Sequence, residues 1–134
     1  MQSPNILIVE DDPIIATLIE FRLKKLGFGV FAKARNETET LDSMGNGYPD
    51  LIFMDIHLNG EMDGIMLAKK ISRIKKIPIV YLTAHADEET VIRAKETNPS
   101  GFIIKPFNDD DLRISIALAL DAGVSGESAA NHCV

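Results

Sequence analysis

The chain has 134 residues, 46% of them hydrophobic and 25% charged, which is ordinary globular composition and length enough for one core without covalent staples. A formal net charge of −6 argues against a nucleic-acid surface, which needs a basic patch, and no apolar run approaches the roughly 20 residues of a membrane span. The single cysteine, Cys133, excludes an internal disulfide, and Met1-Gln-Ser-Pro leaves no room for a signal peptide before the first strand, so a soluble cytoplasmic chain is expected.

Asn5–Val9 reads as the first strand and runs into Glu10-Asp11-Asp12. Asp12 with Pro13 forms an N-cap and first helical position, and Gly27 after Lys24-Lys25 a stop. Ile15, Ile19, Leu23 and Leu26 fall at core spacing in that helix, while Ile14, Leu18 and Phe21 form a second apolar face, either core margin or a dock for a partner helix. Gly29–Ala32 is the second strand, and Asn36 with Glu39 resembles a capping box opening a short helix that ends near Gly45. Leu51–Met54 is the third strand and stops on Asp55; Asp63 then caps a helix whose buried stripe is Leu67, Ile71 and Ile74. Pro78–Leu82 runs into Thr83, and Asp87-Glu88-Glu89 begins a fourth helix that stops at Asn98-Pro99. Phe102–Ile104 leads to Lys105, and Asn108 before three aspartates opens the fifth helix, with acid well placed against the helix dipole. Met44, Met54, Met62 and Met66 read as gap-fillers. From about Val124 periodicity is lost, as in a frayed tail or linker stub.

Strands that alternate with helices and are apolar throughout predict an α/β fold, a (βα)5 doubly wound five-stranded parallel sheet covered on both faces. Residues 4–122 would form that domain and 123–134 the tail. In such a sheet the strand C-termini share one edge, where ligands bind. Glu10, Asp11, Asp55, Thr83 and Lys105 all stand at strand ends and would meet there. Three carboxylates so close call for a cation, and a hard ion that keeps waters and accepts phosphate oxygens fits Mg²⁺, or Mn²⁺ in its place. No His/Cys cluster stands at zinc-ligand spacing. Asp55 can act as a nucleophile forming an aspartyl phosphate, Lys105 as a point charge on phosphoryl oxygens, and Thr83 as a hydroxyl donor.

These motifs resemble those of response-regulator receiver domains, the phosphoacceptor half of two-component signalling. Val9-Glu10-Asp11-Asp12 matches the acidic pair, Asp50-Leu51-Ile52-Phe53-Met54-Asp55-Ile56 the phosphoacceptor strand, Leu82-Thr83-Ala84 the switch residue and Ile104-Lys105-Pro106-Phe107 the Lys-Pro motif. The likeness runs in order from about residue 4 to 122. It implies a flavodoxin-like receiver fold, phosphorylation of Asp55, and Mg²⁺ held by Asp11, Asp55 and the His57 backbone carbonyl, with Glu10 reaching the ion through water. It implies a cis Lys105-Pro106 bond that aims the ammonium into the pocket, and a Thr83/Phe102 switch in which Phe102, lacking a hydroxyl, must be driven by packing. The implied partners are a histidine kinase or histidine phosphotransfer protein, with a homodimer through the fourth helix, fifth strand and fifth helix; neither nucleic acid nor membrane is expected.

The chain departs from the family pattern in three places. The loop His57-Leu58-Asn59-Gly60-Glu61-Met62-Asp63-Gly64 has Asn59 where the family has proline and is one residue longer; the first acid is Glu10; and histidines stand two residues beyond both Asp55 and Thr83. His57 and His85 read either as surface residues or as a pair controlling water access and hence the lifetime of the acyl phosphate. Two other functions compete with a switch that only assists its own modification. A metal-dependent phosphohydrolase with an aspartyl nucleophile wants a second acid two residues on, where this chain has His57. A pseudo-receiver that only binds partners fits poorly with intact Asp11, Asp55, Thr83 and Lys105.

Overall fold

The computed structural model describes residues 3–58 and 62–124; the fifth helix runs to Val124, two residues into the expected 123–134 tail, and the rest of that tail and the centre of the loop after Asp55 lie outside the described residues. Five β/α pairs follow in order: β1 (Asn5–Val9), α1 (Pro13–Lys25), β2 (Gly29–Ala34), α2 (Glu37–Ser43), β3 (Leu51–Asp55), α3 (Gly64–Ile74), β4 (Ile79–Thr83), α4 (Glu88–Lys95), β5 (Gly101–Ile104) and α5 (Asp109–Val124). All neighbours pair in parallel in the order β2-β1-β3-β4-β5. The winding direction reverses between β1 and β3, which puts the binding crevice beyond the ends of those two strands.

The strands read as unbroken apolar runs because both faces are covered. Leu7, Val9, Ile52, Met54 and Tyr81 pack against α3 and α4 through Ile65, Leu67, Ile71 and Ala94. Ile6, Ile8, Leu51, Phe53, Val80 and Leu82 face α1 and α5 through Ile19, Leu23, Leu112 and Ile116. At roughly 1.5–3 kcal/mol for each fully buried aliphatic side chain, these two layers dominate the stability.

Helix boundaries follow their caps. Asp12 Oδ1 accepts the Ile14 amide at 2.9 Å, and α1 ends in a Schellman turn in which the Phe28 amide donates to Leu23 O at 2.9 Å and that of Gly27 to Lys24 O at 3.1 Å. Gly27 has φ +96°, which disfavours a side chain there. Asn108 and Asp111 form a reciprocal capping box, each side chain accepting the other's amide at 2.8–2.9 Å.

Several local expectations are corrected. Asn36 caps Glu39, but the Glu39 carboxylate turns back to the Arg35 amide and guanidinium, so the predicted box is half formed. Ile74 is 51% exposed because α3 ends there and turns its last residue off the sheet. Met66 is exposed too, whereas Met44 and Met54 do fill the core. Ile14 and Phe21 are 79% and 62% exposed, so the second face of α1 is surface and not core margin. β2 extends two residues beyond its expected end, β4 ends on Thr83, and α4 ends at Lys95, before Asn98 turns with φ +51°.

Candidate functional site

β1, β3 and β5 deliver their terminal residues to one edge, as their parallel register requires. Glu10 follows β1, Asp55 ends β3, and Lys105 follows β5, anchored by its amide on Thr83 O at 2.8 Å. Glu10, Asp11 and Asp55 each present a carboxylate oxygen within 4.8 Å of the others. Glu10 and Asp55 are only 1% and 4% exposed. Lys105 Nζ donates to Glu10 Oε1 at 2.7 Å and stands 3.8 Å from Asp55 Oδ1. The second Glu10 oxygen accepts the Asp12 amide at 3.2 Å, and Asp55 Oδ1 accepts the His57 amide at 3.1 Å.

One ammonium does not neutralise three acids. Burial, and after it the neighbouring Asp55 carboxyl, push Glu10 above the ordinary carboxylate range while Lys105 opposes. Burial also pushes Asp55 up, against the pull of Glu10, Lys105 and the His57 amide. The donor set is oxygen only, partly desolvated and under-neutralised, which suits a hard divalent cation that retains waters. Asp11 and Asp55, with Glu10 behind them, are the residues that would hold it.

Two further residues shape this edge. Gly64 starts α3 directly against the end of β3; a Cβ there would lie 2.0 Å from the Asp55 carbonyl oxygen, and its amide already donates to Ile56 O at 2.8 Å. Arg22 of α1 donates to Phe107 O at 2.7 Å and covers the Phe107 ring at 5.4 Å, which braces the loop after Lys105. The Lys105-Pro106 bond is cis, as the motif led one to expect.

Thr83 is buried, and its hydroxyl donates to His85 O at 2.8 Å while accepting the His85 amide at 3.1 Å. Phe102 pairs in register with Tyr81 and meets its ring edge-on, centroids 6.4 Å apart. Tyr81 is wholly buried and its hydroxyl pairs with Thr97 Oγ1 at 2.7 Å. Arg93 of α4 bonds Asp63 at 2.8 Å and so ties α4 to the start of α3. The His57 and His85 rings are 5.9 Å apart and nearly perpendicular, both exposed at the rim.

The sequence pattern named every acid of the cluster, but not the direct Glu10–Lys105 bond, the Gly64 contact, Tyr81 or Arg93. The Asp-Gly pair at residues 63–64 carried the only signal for the Gly64 contact. Tyr81 looked like one more apolar strand residue, and Arg93 like one more helical surface charge. No sequence spacing announces partners such as theirs.

The family model described as the response regulator receiver domain matches residues 6–117. Curated relatives include the transcriptional regulatory protein AfsQ1 of Streptomyces coelicolor, 33% identical over 90% of this chain and 52% of its own length. Another is the transcriptional regulatory protein KdpE of Staphylococcus aureus, 35% identical over 87% of this chain and 49% of its own length. The chain spans about half the length of these curated relatives. Among solved structures, the signal receiver domain of a modulated diguanylate cyclase from Desulfovibrio desulfuricans superposes with a TM-score of 0.87 at 33% identity, covering 94% of this chain and all of that one. A response regulator receiver domain protein from Methanospirillum hungatei gives 0.81 at 28% identity, covering 90% of this chain and 95% of the other.

Proposed function

The chain belongs to the response-regulator receiver family, and from that premise we propose that it is a Mg²⁺-dependent phosphoacceptor switch modified at Asp55. The observation that carries this reading is the buried Glu10/Asp11/Asp55 cluster with Lys105 3.8 Å from the Asp55 carboxylate. An Asp55 oxygen forms a bond to the phosphorus of a phosphohistidine on a kinase or phosphotransfer protein while the donor's N–P bond breaks. Lys105 neutralises phosphoryl oxygens as a point charge. Asp11, Asp55 and the His57 carbonyl would hold the metal, with Glu10 reaching it through water, and the ion would supply positive charge against the phosphoryl oxygens. Water later hydrolyses the acyl phosphate and restores Asp55, with His57 and His85 setting how readily it approaches. The domain acts in the cytoplasm and on itself alone, not on outside substrates.

The output works through Thr83. A phosphoryl group offers new acceptor oxygens, so the Thr83 hydroxyl leaves His85 O for them. Phe102 then repacks against Tyr81, and the α4–β5–α5 face changes its readiness to bind a partner or a second copy. Beryllofluoride with Mg²⁺ should shift backbone resonances from Thr83 to Phe102 and on into residues 108–120. Changes confined to the loops around Asp11, Asp55 and Lys105 would reduce the domain to a phosphate relay without conformational output.

A further inference from the structure

We propose that His57 and His85 form a separate metal site, a two-imidazole chelate for a borderline divalent ion such as Zn²⁺ or Cu²⁺. The ion would strap the β3–α3 and β4–α4 loops together over the crevice. The ring centres are 5.9 Å apart with planes at 77°. A metal–nitrogen bond of about 2.0–2.1 Å plus a ring radius of ~1.15 Å puts each centre about 3.2 Å from the ion, so N–metal–N angles from tetrahedral to linear separate the centres by about 5.2–6.4 Å. The observed spacing lies inside that interval, and rotation of the two exposed rings out of their edge-on contact would bring a nitrogen of each onto one ion.

Both histidines are exposed, so an ion reaches them without opening the fold, and water can complete its coordination. Imidazole nitrogen selects zinc, copper or nickel, whereas the carboxylate cluster selects magnesium, so the two sites differ in chemistry as well as in residues. Asp87 adds negative charge nearby: its carboxyl is held below the usual range by the Thr90 amide and hydroxyl, and additionally by His57. The histidines are far apart in sequence, and only the fold makes them a pair.

The strap would act on the chemistry proposed above, and this regulatory part rests on that reading. His57 donates its amide to Asp55, and the backbone of His85 both donates to and accepts from the Thr83 hydroxyl. An ion fixing both rings fixes those bonds. Thr83 then stays on His85 O, and entry of a phosphoryl donor slows.

The test uses the untagged full chain in saturating Mg²⁺, titrated with Cu²⁺ and followed by electron paramagnetic resonance. One site with a two-nitrogen signature is expected, weakened at least about tenfold in His57→Gln and in His85→Gln. It should be unchanged in a His132→Gln/Cys133→Ser variant. Full affinity in either histidine variant, loss in the tail variant, or loss only in Asp11→Asn would overturn the site. Labelling by acetyl phosphate is then compared with and without Zn²⁺ within each protein. Wild type should slow severalfold and His85→Gln should not; a wild-type rate indifferent to bound zinc overturns the strap. Failure to label in zinc-free buffer would refute the phosphoacceptor reading while leaving the copper result standing.

Discussion

Replacing Asp55 by Asn should stabilise the metal-free protein. The three acids lie within 4.8 Å of one another. At an effective dielectric of about 20, two unit charges that far apart repel by about 3.5 kcal/mol, so with all three acids ionised Asp55 faces about 7 kcal/mol from its two neighbours, part of which a proton held between Glu10 and Asp55 relieves. Lys105, at 3.8 Å, returns about 4 kcal/mol on the same scale. The half-exposed Asp11 is screened by solvent, which brings the net repulsion of about 3 kcal/mol down to roughly 1–3 kcal/mol. Asn removes that repulsion and the cost of burying a charge, and it still accepts the His57 amide. A melting temperature higher by about 4–10 °C should follow in chelator at neutral pH.

The pH dependence has a definite sign. Glu10 and Asp55 have raised native pKa values, so the native state holds their protons to higher pH than the unfolded chain does. The stability they contribute is present below the ordinary carboxylate range near pH 4 and is lost as pH rises through the raised native values. Wild type and Asp55→Asn should therefore melt close together near pH 4 and diverge toward neutrality. Mg²⁺ at a hundredfold excess over its dissociation constant should recover about 2.7 kcal/mol in wild type and less in the variant. Differential scanning calorimetry from pH 4 to 8, with chelator or Mg²⁺, reads all of this. If Asp55→Asn melts at or below wild type in chelator at neutral pH, the cluster carries no excess charge and the case for a cation there fails.

Asp12→Ala should cost about 1 kcal/mol in denaturant unfolding through loss of the α1 cap and leave Mg²⁺ affinity intact, whereas Asp11→Ala should abolish Mg²⁺ binding measured by calorimetry; equal losses of affinity would refute the division of roles. Gly64→Ala should displace the end of β3, because the new Cβ would sit 2.0 Å from the Asp55 carbonyl oxygen, and should weaken both folding and Mg²⁺ binding; a variant that melts and binds like wild type would contradict the packing. In metal-chelated buffer restored with Mg²⁺ alone, the His57→Ala/His85→Ala double variant should show an altered acyl-phosphate decay rate by quench assay, and an unchanged rate would return both to plain rim residues.

The architecture was legible because a doubly covered parallel sheet writes its strands as unbroken apolar runs ending on polar residues, and each helix announced itself by its cap. Boundaries slipped where another interaction competed. Glu39 preferred the Arg35 guanidinium to closing its box, and Ile74 lost its place in the stripe because α3 ends there. The acids were legible because strand ends converge in this topology whatever their spacing in sequence. Contacts set by the third dimension were not: Tyr81 with Thr97 and Arg93 with Asp63 join positions far apart in the chain, and local periodicity carries no trace of them, whereas His57 and His85 stood out because each lies two residues beyond a strand-end site residue.

Intact-mass spectrometry after incubation with acetyl phosphate decides whether Asp55 is the phosphoacceptor. One phosphoryl group per chain is expected, dependent on Mg²⁺, labile to hydroxylamine and absent in Asp55→Asn. A hydroxylamine-stable adduct, or one that persists in Asp55→Asn, would contradict that assignment.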